Sequence, residues 1–315
     1  MNTKTRILIG ALLTLGATPA FAVEGALGRP ISGAGVNPYA GIVPPDQPGW
    51  IFSVGELYYE GEIGGGLSTP IGGNLALGLD LKASFTMLSG VYIWDTHSPC
   101  WNFASGITVP IVWLEAEADV TAGNILGHRK DSASGLFDIA FAPIVASYHV
   151  SQTEHVSFGL NIWAPTGDYE KGQLANLGLN NWTFIPTISY TKLFPSCNVE
   201  LSASWGMQFY TENPDTDYQN GVVSDLEVMA VKRFQNGFGV GLIGSWIEQV
   251  SDDDGTTADL LNGFKGRAFG LGPIVTYSTK IGDTHVDMNA RWVHEFENEK
   301  RFEGDLFGFN VSMKF

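Results

Sequence analysis

Long apolar runs and cysteines are both scarce in this sequence. After the N-terminal leader no stretch reaches the roughly 20 uninterrupted apolar residues that a membrane-spanning helix requires, which excludes a helical membrane protein. The chain has two cysteines, Cys100 and Cys197, among 315 residues. Two are too few for a disulfide framework, and the sequence leaves open whether they are bridged.

Charged residues, and basic ones above all, are also few. Charged side chains make up 16% of the chain, and 17 Lys and Arg face 33 Asp and Glu, for a net charge of -16. Nucleic-acid binding needs a basic face, so this balance argues against a nucleic-acid partner. The 39 glycines and the 12% of aromatic residues are typical of a membrane barrel with an apolar outside and a small, polar inside.

The N-terminus predicts export. Lys4 and Arg6 precede an apolar run over residues 7–17, and Ala20-Phe21-Ala22 has the small-x-small pattern of a cleavage site, so residues 1–22 are expected to be a signal peptide. Residues 23–47 lack any strand pattern. They form either a lead-in without fixed structure or a small plug folded into a lumen, and the sequence does not choose between the two.

Strand-type alternation runs from residue 48 to the end of the chain, and we take 48–315 as the folded unit. In one clear example, apolar residues alternate with a polar set that includes Glu200. The apolar residues are Val199, Leu201, Ala203, Trp205, Met207 and Phe209. The last nine residues carry a large apolar side chain at every odd position and end on Phe315. Bacterial outer-membrane barrels usually finish in this way, and we expect this strand to engage the barrel assembly machinery.

Turn signals divide the unit into twelve strands, near 48–62, 74–95, 101–120, 135–150, 155–165, 181–194, 198–210, 221–234, 237–250, 267–281, 285–297 and 302–315. Connections after even-numbered strands are short. Most of those after odd-numbered strands are long and polar, including 121–134, 166–180, 211–220 and 251–266. The predicted fold is therefore all-β, a transmembrane antiparallel β-barrel of about twelve strands with short periplasmic turns and long extracellular loops.

One strand changes phase. Phe137, Ile139 and Phe141 share a face, but after Pro143 the apolar set moves to even positions. A bulge at the proline, which slips the register by one residue, explains the shift.

Charged residues opposite the apolar faces are predicted to line the barrel interior, where ion pairs brace the wall or water solvates the charges. They are Asp80, Lys82, Asp138, Glu200, Asp225, Glu227, Arg233, Asp287, Arg291 and Glu295.

The strongest candidate for ligand binding begins at Trp163, which alternation places in the lumen. The strand then breaks into a loop rich in Leu, Asn and aromatic residues, a composition that suits a small-molecule pocket at the barrel mouth. The candidate substrate-binding residues are Trp163, Pro165, Thr166, Asp168, Tyr169 and Asn180. An ordinary rigid surface loop, turned by Pro165-Thr166-Gly167-Asp168, is the alternative.

No catalytic, metal or cofactor site is expected. Residues 239–244 match a dinucleotide fingerprint in letters, yet they lie inside a predicted strand with no helix after it. The six histidines are scattered singly, at 97, 128, 149, 155, 285 and 294. His294 is the one histidine expected on an outward face near the outer end, and no serine is predicted beside it, as a barrel lipase or esterase would require.

The chain resembles the outer-membrane family named for the MetA pathway of phenol degradation. The motifs are Trp163 to Tyr169, Asn181 to Pro186, and Leu226-Glu227 to Arg233-Phe234. Gly25 to Pro30, Gly49-Trp50 and Asp119 to Lys130 are similar to its sphingosine-induced, SphA-like branch. The resemblance covers essentially the whole mature chain. It implies a barrel remotely like the long-chain fatty-acid transporters, carrying hydrophobic or aromatic compounds inward, and it carries over no functional residues.

The sequence thus predicts a bacterial outer-membrane channel for passive uptake of hydrophobic or amphiphilic small molecules, such as aromatic compounds or sphingoid bases. Its expected partners are outer-membrane lipid, lipopolysaccharide and the solute. A structural or ligand-sensing barrel that conducts nothing is the alternative, and a barrel lipase or esterase is the third hypothesis.

Overall fold

The computed structural model describes residues 29, 31–44, 48–98, 100–122, 125–261 and 265–315. The predicted signal peptide lies outside the described residues. The first strands are β1 (Gly49–Ile71), β2 (Asn74–Ile93), β3 (Trp101–Ala122), β4 (Ile125–Leu136), β5 (Ile139–Ser151), β6 (Glu154–Ala164) and β7 (Thr183–Phe194). They are followed by β8 (Val199–Tyr210), β9 (Val223–Arg233), β10 (Phe238–Gln249), the short helix α1 (Thr256–Leu260), β11 (Arg267–Ile281), β12 (Thr284–Glu299) and β13 (Glu303–Lys314).

Twelve of these strands close into an antiparallel barrel. Neighbours in sequence pair around the ring, β3 pairs with β5, and β1 pairs with β13, which closes the sheet. The predicted fold class is confirmed. In the part of the chain that the structure describes, no helix is long and apolar enough to cross a membrane.

The strand outside the closed ring is β4, and it replaces most of the loop predicted at 121–134. Its residues pair with the C-terminal half of β3, from Ile111↔Leu136 to Ala122↔Ile125, whereas β5 pairs with the N-terminal half of β3. In sequence His128, Lys130 and Ser132 alternate with the equally polar Arg129 and Asp131. Because neither face of this stretch is apolar, the pattern reads as a loop although the backbone is extended.

The phase break near Pro143 is confirmed. The pairing of β5 with β6 changes register between Phe141 and Ile144, so one strand gains an extra residue there. The Ser105 hydroxyl donates to the Pro143 carbonyl oxygen at 2.6 Å, which ties the bulge to the neighbouring strand β3.

The outer surface carries a broad apolar band. Large side chains that are between 36% and 67% exposed cover the outside of the strands, and they include Phe52, Val54, Leu88, Ile107, Phe158, Ile188, Leu201, Trp205, Val228, Leu242, Val275, Phe307 and Phe309. Inward positions on the same strands are buried and often polar, as at Ser202, Glu227 and Arg291. Lipid is the natural partner of such a band.

Strands β1, β2 and β3 are 23, 20 and 22 residues long, whereas the other strands have 11 to 16. Together with β4 they extend past the apolar band on the side of the long loops, and we call this part the extended wall. Its outer face is polar, with Glu60, Lys82 and Lys130 exposed. Its inner face is apolar on β2 and β3, because Leu79 and Ala116 are buried in the core.

Two predicted lumen charges therefore need correction. Asp80 and Lys82 lie on the outer face of β2, where Lys82 Nζ is 2.9 Å from Glu60 Oε1 and both partners are about half exposed. Leu79 and Ala83, on the opposite face, are 1% exposed. The sequence pattern predicts that the apolar side of the strand faces lipid. This part of β2 lies beyond the apolar band, so its apolar side faces the core instead.

Residues 31–44, which we call the inner segment, lie inside the barrel. Ile31 and Val36 are buried in one core cluster with inward side chains of several strands, among them Tyr59, Met229, Ile243, Ile274 and Val293. Val43 packs near the other end against Ile93 and Ala104. The lumen is thus largely filled at the level of this segment.

The two cysteines lie at turns on the short-loop side. Cys100 precedes β3 and Cys197 follows β7, and both are exposed and unpaired.

Candidate functional site

The site begins where a basic side chain from the N-terminal region meets two aromatic rings of the wall. The guanidinium of Arg29 lies 5.0 Å from the Trp163 ring centroid and 5.6 Å from that of Phe137. Trp163 is near the end of β6, on its inner face, and Phe137 follows β4. A cation held over two rings and shielded from water gains cation–π stabilisation from both.

Asp138 anchors this arrangement. Its fully buried carboxylate accepts a hydrogen bond from Arg29 Nη2 at 2.7 Å. It also accepts from the backbone N–H groups of Thr166, Gly167 and Leu179, each at 3.0 Å. Asp138 lies in the two-residue break between β4 and β5, where its own strand makes no ladder. A buried carboxylate requires such partners, so these contacts fix the position of everything they touch.

The segment that Asp138 holds is residues 165–182, which we call the mouth loop. Asp138 binds the loop near both of its ends, so the loop folds back over the barrel. A Cβ at Gly167 would lie 1.8 Å from the carbonyl oxygen of Leu177, so only glycine permits this close approach between the two halves of the loop.

The middle of the mouth loop packs on the inner face of the extended wall. Leu174 belongs to the main core cluster, and Ala175 and Leu177 form a second cluster with Val112 and Leu114. Arg129 adds polar contacts, donating to the carbonyl oxygen of Gly172 at 2.7 Å and to the Gln173 side chain at 2.6 Å. The loop is therefore an ordered cover over this part of the mouth.

A cavity of about 360 Å³ opens between β4 and the mouth loop. Three carboxylates border it, from Asp131, Asp168 and Glu170, and Ala133 and Leu177 supply apolar surface. Its lining is completed by Ser132, Tyr169, Gln173, Ala175 and Asn176. The lining is mostly polar with a small apolar patch, so the cavity can hold the polar or cationic head of an amphiphile beside part of its chain.

The six candidate binding residues divide among three places. Trp163 lies under Arg29, and Thr166 accepts a hydrogen bond from the Ile139 N–H at 2.8 Å. Pro165 lies between them, directly after β6. Asp168 and Tyr169 line the cavity.

Asn180 lies apart from the other five. It has a left-handed backbone with a φ of 53°, and its Nδ2 donates to Asn213 Oδ1 at 2.8 Å and to Asp215 Oδ2 at 2.9 Å. It therefore links the mouth loop to the next extracellular loop.

The inward charges hold the inner segment. Glu227 accepts hydrogen bonds from the N–H groups of Gly33 at 2.8 Å and Val36 at 2.5 Å. Arg291 donates to the carbonyl oxygens of the same two residues, at 2.8 Å and 2.7 Å. One acid on β9 and one base on β12 thus bind the N–H and carbonyl groups of the same two residues.

A second acid–base pair binds Tyr39, the acid through the backbone and the base through the ring. Glu200 accepts a hydrogen bond from the Tyr39 N–H at 2.6 Å and forms an ion pair with Arg233. The Arg233 guanidinium lies 4.3 Å from the centroid of the Tyr39 ring. Asp225, another predicted lumen charge, accepts a hydrogen bond from Gln208 at 3.0 Å, and Glu295 accepts one from the Tyr59 hydroxyl at 2.6 Å. Asp287, the last of the set, is exposed and accepts a hydrogen bond from the Ser278 hydroxyl at 2.6 Å.

His294 lies on the outer face of β12, opposite Leu271 and Asp305. Its Nδ1 is 3.2 Å from Asp305 Oδ1, which also accepts from Trp292 Nε1 at 2.7 Å. Neither register partner is a serine, so these contacts do not supply the serine–histidine pair of the lipase hypothesis. Among the described residues, no group of three or more His, Cys, Asp or Glu side chains is placed to hold a metal ion.

Sequence reasoning missed Arg29 and Tyr39. Both lie in the N-terminal stretch without alternation, and their partners are more than 100 residues away. A lone basic residue in a segment destined for the lumen was the available signal, since the lumen charges include more acids than bases.

Known proteins resemble this chain both in sequence and in fold. The model of the family described as the MetA-pathway of phenol degradation matches residues 64–311. No curated protein matches the sequence.

Among solved structures, an outer-membrane channel from Pseudomonas putida F1 has a TM-score of 0.69 at 14% identity, covering 89% of this chain and 100% of that chain. A Pseudomonas aeruginosa FadL homologue has a TM-score of 0.44 at 10% identity, with 94% and 98% covered. The CymD monoaromatic hydrocarbon channel has a TM-score of 0.43 at 8% identity, with 85% and 88% covered. The first likeness shows an outer-membrane barrel fold.

Proposed function

Because the chain belongs to the MetA-pathway of phenol degradation family, we propose that it is an outer-membrane channel for passive uptake of hydrophobic or amphiphilic small molecules. The observation that carries the proposal is the cavity between β4 and the mouth loop, whose mostly polar lining includes three carboxylates and a small apolar patch. The mouth loop that borders it is the segment anchored by Asp138, the ion-pair partner of Arg29.

The composition of the cavity favours amphiphiles over purely polar solutes. Leu177 and Ala133 offer apolar surface, and Asp168 and Glu170 attract an ammonium group. Long-chain lipids with a basic head, such as sphingoid bases, combine both features. Aromatic compounds are the second solute class, and Trp163 and Phe137 offer them stacking surfaces.

The outer surfaces of the barrel and the two ends of the chain have proposed partners and roles as well. We take the apolar band as the contact with outer-membrane lipid, the polar outer face of the extended wall as the contact with lipopolysaccharide, and the strand ending at Phe315 as the signal for barrel assembly. Residues 1–22 remain the proposed export signal, and residues 23–47 the proposed small plug.

The filled lumen favours a second candidate function. Glu227, Arg291, Glu200 and Arg233 hold the inner segment along much of its length. A barrel with this segment fixed in place conducts nothing and serves as a structural or ligand-sensing protein.

Uptake by whole cells separates the two. We would compare cells that lack the protein with cells that carry the parent, Trp163→Ala or Trp205→Ala, at matched outer-membrane levels. Trp205 is the control because it lies on the lipid face and is 43% exposed. The channel predicts loss of labelled long-chain amphiphile or phenol uptake in the deletion, partial loss in Trp163→Ala, and none in Trp205→Ala.

Equal uptake of both solutes by all four strains would reject transport and favour the non-conducting barrel. Equal loss in both tryptophan variants would place the effect in barrel assembly rather than at the mouth.

A further inference from the structure

Two histidines that are six residues apart in sequence meet inside the barrel at its short-turn end. The β5–β6 hairpin pairs His149 directly opposite His155. Both side chains point inward, as do Ser147 and Ser157 on the same two strands. The Nδ1 atoms of the two rings are 2.6 Å apart, and the ring planes are inclined at 79°.

The hydrogen bond on the far side of His149 fixes its tautomer. Nε2 of His149 is 2.6 Å from Asn102 Oδ1, an oxygen that can only accept, so Nε2 carries the proton. In the neutral ring the lone pair is then on Nδ1 and points at His155. A carbonyl oxygen that orients a histidine in this way is the usual support of a metal-ligating imidazole.

We propose that His149 and His155 form a binding site for a divalent transition-metal ion that prefers imidazole ligands, such as Zn²⁺ or Cu²⁺, with the two Nδ1 atoms as ligands. A bound zinc lies roughly 2.0–2.1 Å from each nitrogen, which sets the two nitrogens about 3.3 Å apart in tetrahedral geometry. That spacing is about 0.7 Å wider than the contact in this structure, so the two rings must turn apart to admit the ion. Water completes the coordination, since no third His, Cys, Asp or Glu joins the pair among the described residues.

The site lies where the inner segment crosses the wall. The hydroxyls of Ser147 and Ser157 donate to the carbonyl oxygens of Gly41 at 2.8 Å and Ala40 at 3.1 Å. The Gly41 N–H donates to Thr191 Oγ1 at 2.9 Å. A metal at the histidine pair would brace the hairpin beside these contacts, and His155 is only 7% exposed, which shields the ion from bulk water.

Metal titration of the full-length barrel tests the proposal. The protein is prepared without a histidine tag, stripped with a chelator, and titrated at pH 7.5 with Zn²⁺ by calorimetry. Parent protein is expected to bind one ion per barrel. His149→Gln and His155→Gln should each raise the dissociation constant by about tenfold or more. His285→Gln is the matched control, an exposed histidine near the same end of the barrel that should leave binding unchanged.

Zn²⁺ binding that neither histidine variant weakens would overturn the proposal, as would the absence of binding. In that case the short contact is a proton shared between two rings. Pulsed electron paramagnetic resonance on the parent protein with one equivalent of Cu²⁺ decides the matter even if a variant fails to fold. Coupling to the remote nitrogens of two imidazoles supports the site, and coupling to one or none rejects it.

Discussion

The extended wall and the apolar band carry the same alternation of apolar and polar residues, but the two faces of the sheet are exchanged between them. In the band, apolar side chains point out, as at Leu242, which is 57% exposed, and polar ones point in, as at Glu227. In the wall the apolar side chains point in, as at Leu79, and Lys82 points out. Both regions obey one rule, because apolar atoms turn away from water in each. What differs is which side of the sheet water occupies.

Strand β2 shows the change within one element. Its outer face carries Leu88 and Tyr92 in the band and Asp80 and Lys82 in the wall, while Leu79, Ala83 and Phe85 remain inside. Its inner face stays apolar throughout, because the mouth loop and the core cover it. The change of the outer face from polar to apolar side chains therefore marks the level at which the membrane begins.

Removing the carboxylate at the junction of wall and band is expected to have the largest effect. Asp138→Ala leaves the Arg29 guanidinium buried without its anion and three backbone N–H groups without an acceptor, a loss of about 3–5 kcal/mol in the free energy of unfolding. Urea unfolding in lipid vesicles measures it. Asp138→Asn, which loses the charge but keeps an acceptor oxygen, should cost less, and equal costs would contradict the role of the hydrogen bonds from the three N–H groups.

The same charged substitution should have unequal effects on the two outer surfaces. Leu242→Arg places a cation in lipid near the middle of β10 and should cost about 2–4 kcal/mol in unfolding free energy. Asp80→Arg, on the exposed outer face of β2 in the extended wall, should change it by less than about 0.5 kcal/mol. If the two variants unfold alike, the boundary between band and wall is drawn in the wrong place.

The smallest expected effect is a change in the pKa of a histidine on the extended wall. Hydrogen bonding to Asp119, aided by Glu117, raises the pKa of the exposed His128. Because the folded pKa is raised, the stabilisation is fully present below the ordinary value of about 6.5 and is lost as pH rises through the folded value. Nuclear magnetic resonance titration should give a midpoint above the ordinary one. Asp119→Asn should lower that midpoint, and an unchanged midpoint would refute the contact.

Strands with lipid on one side and polar groups on the other could be predicted from the sequence. On β8, Leu201, Trp205 and Phe209 face out and Glu200 faces in, as the alternation indicates. The same logic fails on β2, because sequence does not state which medium lies beside each residue, and it fails on β4, where both faces are polar.

The candidate site is harder to derive than the fold. Trp163 was placed in the lumen by its period, but its contact with Arg29 joins residues 134 positions apart, which no local pattern encodes. The pair His149 and His155 is different. A short turn between them fixes their register, so the two histidines could have been found by counting back from the hairpin.

Most hydrogen bonds that hold the inner segment act on its main chain, while Ile31, Val36 and Val43 pack in the core clusters. Glu227, Arg291, Glu200, Ser147 and Ser157 all bind peptide N–H or carbonyl groups, which every residue other than proline offers in full. Mutation of most side chains in residues 31–44 leaves these bonds intact, with Gly33 and Gly41, which the barrel wall crowds, as the exceptions. The barrel wall should therefore evolve slowly where it binds, while positions of the segment whose side chains do not pack in a core cluster are free to drift.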